Sequence, residues 1–311
     1  MRDRRTFLKG FGTAAAVGAV AGCTGEGSSS DDEPYVDGQI KFLMSPTEPQ
    51  DQLRAQYTPI KERLNDHIDE VDTVEMQYAS DYAATLTALG SGTGDIAETG
   101  PFAAALGVES DNAEVLLQRY GYGGWTYSSV VVTRPETDIE TLSDLEGKTI
   151  AFADALSASG SLYPLGMIAE AGLSIPDEPG SPSGADFDPS WSDHFAAIEA
   201  VTAGTADAAG VGLFAAVNDE REIQEGLAEV AREDGIPRAP IVVSPELTDE
   251  ETTTIEEAFT EASDELYLGE DGEEGTDDDL WFEDVRTADA DTYQPVVDKA
   301  NQLGYSEDIF G

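Results

Sequence analysis

The sequence predicts an α/β protein built as two similar lobes. Short apolar runs of strand length alternate along it with segments of helical spacing. One stretch recurs: "DYAATLTALGSGTGDIAETG", beginning at Asp81, is echoed by "DHFAAIEAVTAGTADAAGVG", beginning at Asp193. A content of 40% hydrophobic residues in 311 supplies enough apolar surface for two lobes.

In chain order, "GQIKFLM" reads as a strand. A helix follows with Leu53, Tyr57, Ile60, Leu64 and Ile68 on one face, kinked by Pro59 or carrying it in the first turn. "VDTVEMQYA" is a strand, "DYAATLTALGSG" a helix, "DIAET" a strand, and "AEVLLQRYG" and "YSSVVVT" two further strands. The second unit begins with "DLEGKTIAFAD". At an offset of 112 residues, Ala88 matches Ala200, Gly92 matches Gly204, Thr93 matches Thr205, Asp95 matches Asp207, Ala97 matches Ala209 and Gly100 matches Gly212. Each unit is therefore a helix, a Gly-ended turn and a short strand. Tyr82 and His194 hold the same place at the start of the two helices. Ligands of open α/β sheets sit outside the carboxyl ends of the strands, where such helices begin.

The segment "DALSASGSLYP" (154–164) puts Ser157, Ser159 and Ser161 between a buried strand and an apolar helix. Serine is a favoured N-cap. Hydroxyls at a helix N-terminus, with its unpaired N–H groups and partial positive charge, also make an anion site. Both readings stand at this level.

The formal net charge is −48, from 64 acidic and 16 basic residues. That balance argues against a nucleic-acid partner, since phosphate contacts need Lys and Arg. The carboxylates are spread through the chain rather than gathered in a tail. This is expected of a solvated surface suited to high salt, as in a halophile. "EDGEEGTDDD" (270–279) lacks the spacing and final Glu of a calcium loop and reads as a solvated loop.

Residues 1–22 read as an export signal: Arg4 and Arg5 precede Phe7, Leu8 and Lys9, and an apolar run too short to span a membrane follows. Paired Arg before Thr-Phe-Leu-Lys resembles a twin-arginine signal. The run ends "VAGC", which resembles a lipobox with Cys23, the sole cysteine, as the lipidated residue. Residues 23–37 are a Gly/Ser/acid-rich tether. The expected product is exported, lipid-anchored on the outer face of the membrane and free of disulfides.

Several further segments, in order, resemble the phosphonate-binding family of periplasmic-type solute receptors, which feed phosphate, phosphite or phosphonate ABC importers. They are "SDYAATLTAL", "TGPFAA", "YSSVVVTRPETDIETLSDLEGKTIAF", "DALSASG" and "DHFAAIEAVTAGTADAA", and the likeness runs from Gly38 to Phe259. It implies a type II periplasmic-binding-protein fold, each lobe a mixed β-sheet flanked by helices, with the ligand cleft between lobes. Lobe 1 would comprise 38–128 plus 238–311, and lobe 2 would comprise 129–237, with hinges near Ser129 and Arg238. It also implies that Tyr82, Tyr127, Ser157, Ser159 and His194 face an oxyanion, with Ala158 offering its backbone N–H where the family usually has Thr. Ser45, Thr47 and Arg238 are secondary ligand candidates; Trp125 reads as packing. Implied partners are the permease and ATPase of an ABC importer. No cofactor, metal or catalytic group is expected.

Aminoalkylphosphonate receptors of this family resemble one another in two acidic cleft residues. Counting from His194 puts those positions at Phe214 and Ala239, neither acidic. The expected ligand is therefore phosphate, phosphite or a simple uncharged-tail phosphonate. Two alternatives remain: an exported phosphate-ester hydrolase, and a two-lobed receptor for another small organic solute. Against the hydrolase, the mature chain has only His67 and His194, and there is no Gly-x-Ser-x-Gly elbow or metal-ligand spacing.

Overall fold

The computed structural model describes residues 35, 38–45, 50–218 and 220–305. The signal, Cys23, the rest of the tether and Thr47 lie outside the described residues, but Tyr35, read from the sequence as tether, is buried and donates its N–H to Glu251 Oε1 at 2.6 Å, so the packed domain takes in this position.

The first sheet is built from β1 (Gln39–Met44), β2 (Thr73–Tyr78), β3 (Ile96–Glu98), β4 (Glu114–Tyr120), β10 (Pro240–Val243) and β11 (Asp284–Thr287). Its order is β11-β4-β10-β3-β1-β2. The second sheet contains β5 (Thr126–Thr133), β6 (Thr149–Phe152), β7 (Asp188–Trp191), β8 (Ala208–Gly212) and β9 (Ala228–Pro237), in the order β7-β6-β8-β5-β9. Both sheets are mixed. β1 runs parallel to β2 and β3, and β6 parallel to β7 and β8. β10 lies antiparallel to β3 and β4, and β5 antiparallel to β8 and β9. Five strands of the first sheet (β2-β1-β3-β10-β4) thus repeat the order of the second (β7-β6-β8-β5-β9), with β10 and β5 exchanged between the lobes. The chain passes between sheets at residues 121–125 and 238–239. There Arg238 N–H bonds the Trp125 carbonyl at 3.0 Å, and Arg119 N–H bonds that of Ala239 at 3.3 Å. β5 starts at Thr126, so residues 126–128, grouped by sequence with lobe 1, pair in the second sheet.

Eight helices flank the sheets among the described residues: α1 (Gln50–His67), α2 (Tyr82–Gly90), α3 (Pro101–Glu109), α4 (Tyr163–Glu170), α5 (His194–Thr202), α6 (Leu213–Ala216), α7 (Asp249–Thr260) and α8 (Gln294–Leu303). The predicted face of α1 is buried at Leu53, Tyr57, Ile60 and Leu64, and Pro59 lies in the helix interior rather than its first turn. α3 is buried over most of its length, from Pro101 to Gly107, which explains its unbroken apolar run. The core of the first lobe gathers Ile40, Phe42, Tyr57, Phe259 and Phe282; a second cluster, containing Val131, Ile150, Phe152 and Leu165, continues through Phe102 and Leu106 into the first lobe.

The internal echo is a structural repeat. α2 and α5 begin 112 residues apart, as do β3 and β8, at the offset of the sequence match. Asp95 Oδ2 accepts from Lys41 N–H at 2.7 Å, and Asp207 Oδ2 accepts from Thr149 N–H at 2.9 Å. Each aspartate thereby ties the turn to the neighbouring parallel strand. Thr93 and Thr205 donate their hydroxyls to the carbonyls of Ala88 and Ala200. Gly92 and Gly204 both take positive φ, 64° and 76°, a conformation that costs glycine little. Sequence identities between the units therefore mark the positions that close the helix and dock the strand.

Candidate functional site

A cavity of about 190 Å³ lies between the sheets. Its wall includes Tyr82 and Tyr127, the Ser157–Ser159 turn, His194, Arg238 and Ala239. All six primary sequence candidates and the secondary candidate Arg238 thus meet in one place.

Tyr82 and His194 are there because each opens a helix whose N-cap is an aspartate. Asp81 accepts from Ala84 N–H at 2.7 Å, and Asp193 from Phe195 and Ala196 N–H at 2.9 and 2.8 Å. The caps fix where the helices start and hence where the first side chains point. Burial raises the Tyr82 pKa well above the ordinary value, with Glu98 adding to the rise, so the phenol stays a neutral donor. Burial also raises that of Tyr127, against a hydrogen bond from Ser159 and the charge of Arg238.

The 158–162 segment forms one turn of π-helix leading into α4. Ser157 caps it: its Oγ accepts from Gly160 N–H at 3.0 Å. The same oxygen lies 3.2 Å from His194 Nε2. Capping and cavity lining are therefore both functions of Ser157. Ser159 is buried at the wall, and its carbonyl accepts from the Ser129 hydroxyl at 2.7 Å. Ser161 faces away and accepts from Trp191 Nε1 at 3.1 Å.

His194 Nδ1 accepts from Gly212 N–H at 3.0 Å. An acceptor Nδ1 assigns the proton of the neutral ring to Nε2. Burial lowers the ring's pKa to about 4, against a smaller opposing pull from Asp193. The imidazole is thus a neutral donor at Nε2. Ser157 Oγ receives the N–H of Gly160 and lies beside the His194 Nε2–H, which it would share with an anion placed between them, leaving its own hydroxyl proton to donate.

The opposite wall was not legible in the sequence. Arg119 and Glu98 form a buried ion pair at 3.1 Å. Arg119 also donates to Tyr57 Oη and to the carbonyls of Thr99 and Ala239, and stacks over Trp281 with its guanidinium 4.7 Å from the ring centroid. Burial opposes its charge, but Tyr57 and Glu98 outweigh burial and raise its pKa. Glu98 is further held by Ser45, whose N–H donates to Oε1 at 2.6 Å and whose hydroxyl donates to the Glu98 carbonyl at 2.8 Å. Ser45 therefore supports Glu98 and is not part of the cavity wall.

Arg238 is also buried, with Nε donating to the Gly124 carbonyl at 2.8 Å. Its guanidinium lies 5.3 Å from the Tyr122 ring centroid, 5.7 Å from Tyr127 and 5.8 Å from Trp281. Desolvation lowers its pKa, and no carboxylate pairs with it among the described residues. In so acidic a chain, a buried cation lacking a carboxylate partner is a place for an anion. Phe214 and Ala239, the positions counted as acidic in aminoalkylphosphonate receptors, both line the cavity and are apolar.

Two mixed α/β lobes enclosing a cleft between them define a two-lobed solute receptor with the type II periplasmic-binding-protein fold. A family model described as "ABC transporter, phosphonate, periplasmic substrate-binding protein" matches residues 42–293. The chain belongs to that family. The phosphate-import protein PhnD of Mycolicibacterium smegmatis is 31% identical over 169 residues, 52% of this chain and 52% of that protein, so the match spans about half the relative's length. A binding-protein component of an ABC phosphonate transporter from Pseudomonas aeruginosa aligns with a TM-score of 0.69 at 20% identity, over 88% of this chain and 87% of that one. PhnD1 from Prochlorococcus marinus, in complex with methylphosphonate, aligns with a TM-score of 0.64 at 16% identity, over 86% and 98%.

Proposed function

We propose that this receptor binds phosphate, phosphite or a simple phosphonate at the Ser157–His194–Arg238 end of the cleft and delivers it to the permease and ATPase of an ABC importer. The observation that carries this is Arg238, a buried guanidinium without a carboxylate partner among the described residues, lining one cavity with neutral donors from Tyr82, Tyr127, Ser157 and His194. Tetrahedral oxyanions take several donors at once and exclude a counter-carboxylate. Lobe closure would turn about residues 121–125 and 238–239, the two crossings. Export by the twin-arginine route, an anchor on Cys23 and a halophilic setting complete the proposal, on the sequence grounds given above.

The hydrolase alternative would use the Ser157–His194 pair as nucleophile and base. His194 is unsuited to that role, because a ring with Nδ1 occupied by Gly212 N–H presents a proton, not a lone pair, to Ser157. Calorimetry in multimolar KCl with phosphate, phosphite, methylphosphonate and aminoethylphosphonate tests the proposal, alongside an assay for p-nitrophenyl phosphate turnover. Binding of one of the first three, weaker binding of aminoethylphosphonate and no turnover are expected. Turnover would favour the hydrolase, and no binding of any of the four would favour a receptor for another solute.

A further inference from the structure

Three large hydrophobic side chains stand exposed among the described residues: Tyr122 at 49%, Phe195 at 55% and Phe214 at 40%. All three line the cleft. The rest of the described surface keeps its large apolar groups covered, in a chain of net charge −48. Exposed apolar surface gathered in a concave site marks a contact with a ligand.

The aromatic groups begin where the polar donors end. Phe214 lies edge-on to the His194 ring at 4.8 Å between centroids, and Phe195 meets Phe214 at 6.4 Å. Across the cleft, Tyr122 stacks on Trp281 at 6.4 Å with 13° between planes. Tyr122 holds φ at 50°, an uncommon backbone conformation for a bulky residue, and its carbonyl accepts from Arg221 of the second lobe at 2.9 Å. An inorganic oxyanion would engage the donors and leave these rings in water. An ammonium tail is disfavoured, because Glu98 is already engaged by Arg119 and Ser45, and the Tyr122 and Trp281 rings already lie against the Arg238 cation.

We infer that the ligand is an organophosphonate or phosphate monoester with an uncharged, apolar substituent, from a few carbons up to one ring. Phe195, Phe214 and Tyr122 select it over inorganic phosphate. The cleft's 190 Å³ holds an oxyanion with a short alkyl chain, and because Phe195, Phe214 and Tyr122 are exposed at its mouth a larger substituent can lie against them rather than within it. This ligand class presupposes the oxyanion site proposed above.

The test is competition calorimetry in multimolar KCl with phosphate, methylphosphonate, butylphosphonate, phenylphosphonate and aminoethylphosphonate, on the wild-type protein and on Phe214→Ala and Phe195→Ala. Affinity should rise about fourfold per methylene from methyl- to butylphosphonate. Each variant should weaken butyl- and phenylphosphonate about tenfold more than it weakens phosphate. Equal affinity for phosphate and butylphosphonate would overturn the inference. So would an equal loss for every ligand in both variants, which would make the rings a lobe-to-lobe closure contact. Phosphate binding with no gain from the apolar tail defeats this inference alone, whereas binding of none of the five defeats the oxyanion site as well.

Discussion

Gly212, the last residue of β8, donates its N–H to Nδ1 of His194, the first residue of α5, at 3.0 Å. That bond lets a strand end set the tautomer of a helix-borne side chain and fixes which nitrogen faces the cleft. A side chain at position 212 would be badly crowded, its Cβ 2.3 Å from Phe214 Cε1 and 2.9 Å from Ser159 Oγ. The sequence echo pairs this glycine with Gly100, which lies against Tyr82 in the other lobe.

His194 should titrate near 4, well below its ordinary value of 6.5. As pH falls, the unfolded chain takes up this proton before the folded one does. The stability contributed by the neutral ring is therefore fully present above pH 6.5 and is lost between 6.5 and about 4. Proton NMR of the His67→Asn variant leaves a single imidazole to follow. A midpoint between 6 and 7 would mean a solvated ring and undo the donor assignment.

His194→Ala and Ser157→Ala each remove a donor to a charged ligand. Each should weaken oxyanion binding by roughly tenfold to a hundredfold without unfolding the protein. Calorimetry with circular dichroism as a folding control measures both; unchanged affinity in the two variants would move the ligand out of this cleft.

Gly160→Ala should be worse than either. The new Cβ would lie 2.3 Å from Ala153 Cβ and 2.7 Å from His194 Cε1, so the turn and the imidazole must both shift. A stability loss of about 1–3 kcal/mol is expected, with oxyanion binding abolished. Binding at wild-type affinity would show that the ring's position is unimportant.

Arg119→Met should destabilise the first lobe by about 3–5 kcal/mol, because it removes the buried guanidinium that pairs with Glu98. The double variant Arg119→Met/Glu98→Gln should recover part of that loss. Denaturant unfolding at one fixed KCl concentration compares the three, and a harmless single variant would mean that water reaches the pair.

The helix–turn–strand units were legible because local chemistry repeats: an aspartate cap, a positive-φ glycine and an aspartate that docks the strand. The Ser157 turn was legible for the same reason, since its hydroxyl chemistry lies within a few residues. The wall containing Glu98, Arg119, Tyr122 and Trp281 was not. Arg119 reads as one polar residue in a strand, and its buried carboxylate partner lies in a different strand, joined to it only by the fold. Phe214 was placed in the cleft by counting from His194, but nothing in the sequence marks Phe195, which the fold also leaves lining the cleft. Ser45 was misread because a serine after a strand looks like a donor to a ligand, while its hydroxyl is already committed to the Glu98 carbonyl.

A crystal structure with bound methylphosphonate tests the central claim most directly. The phosphonate oxygens should lie within hydrogen-bonding distance of His194 Nε2 and the Ser157 hydroxyl from one lobe, and of the Arg238 guanidinium at the crossing between lobes. A ligand held elsewhere, or one bound in the cleft without contact to Arg238 and His194, would contradict it.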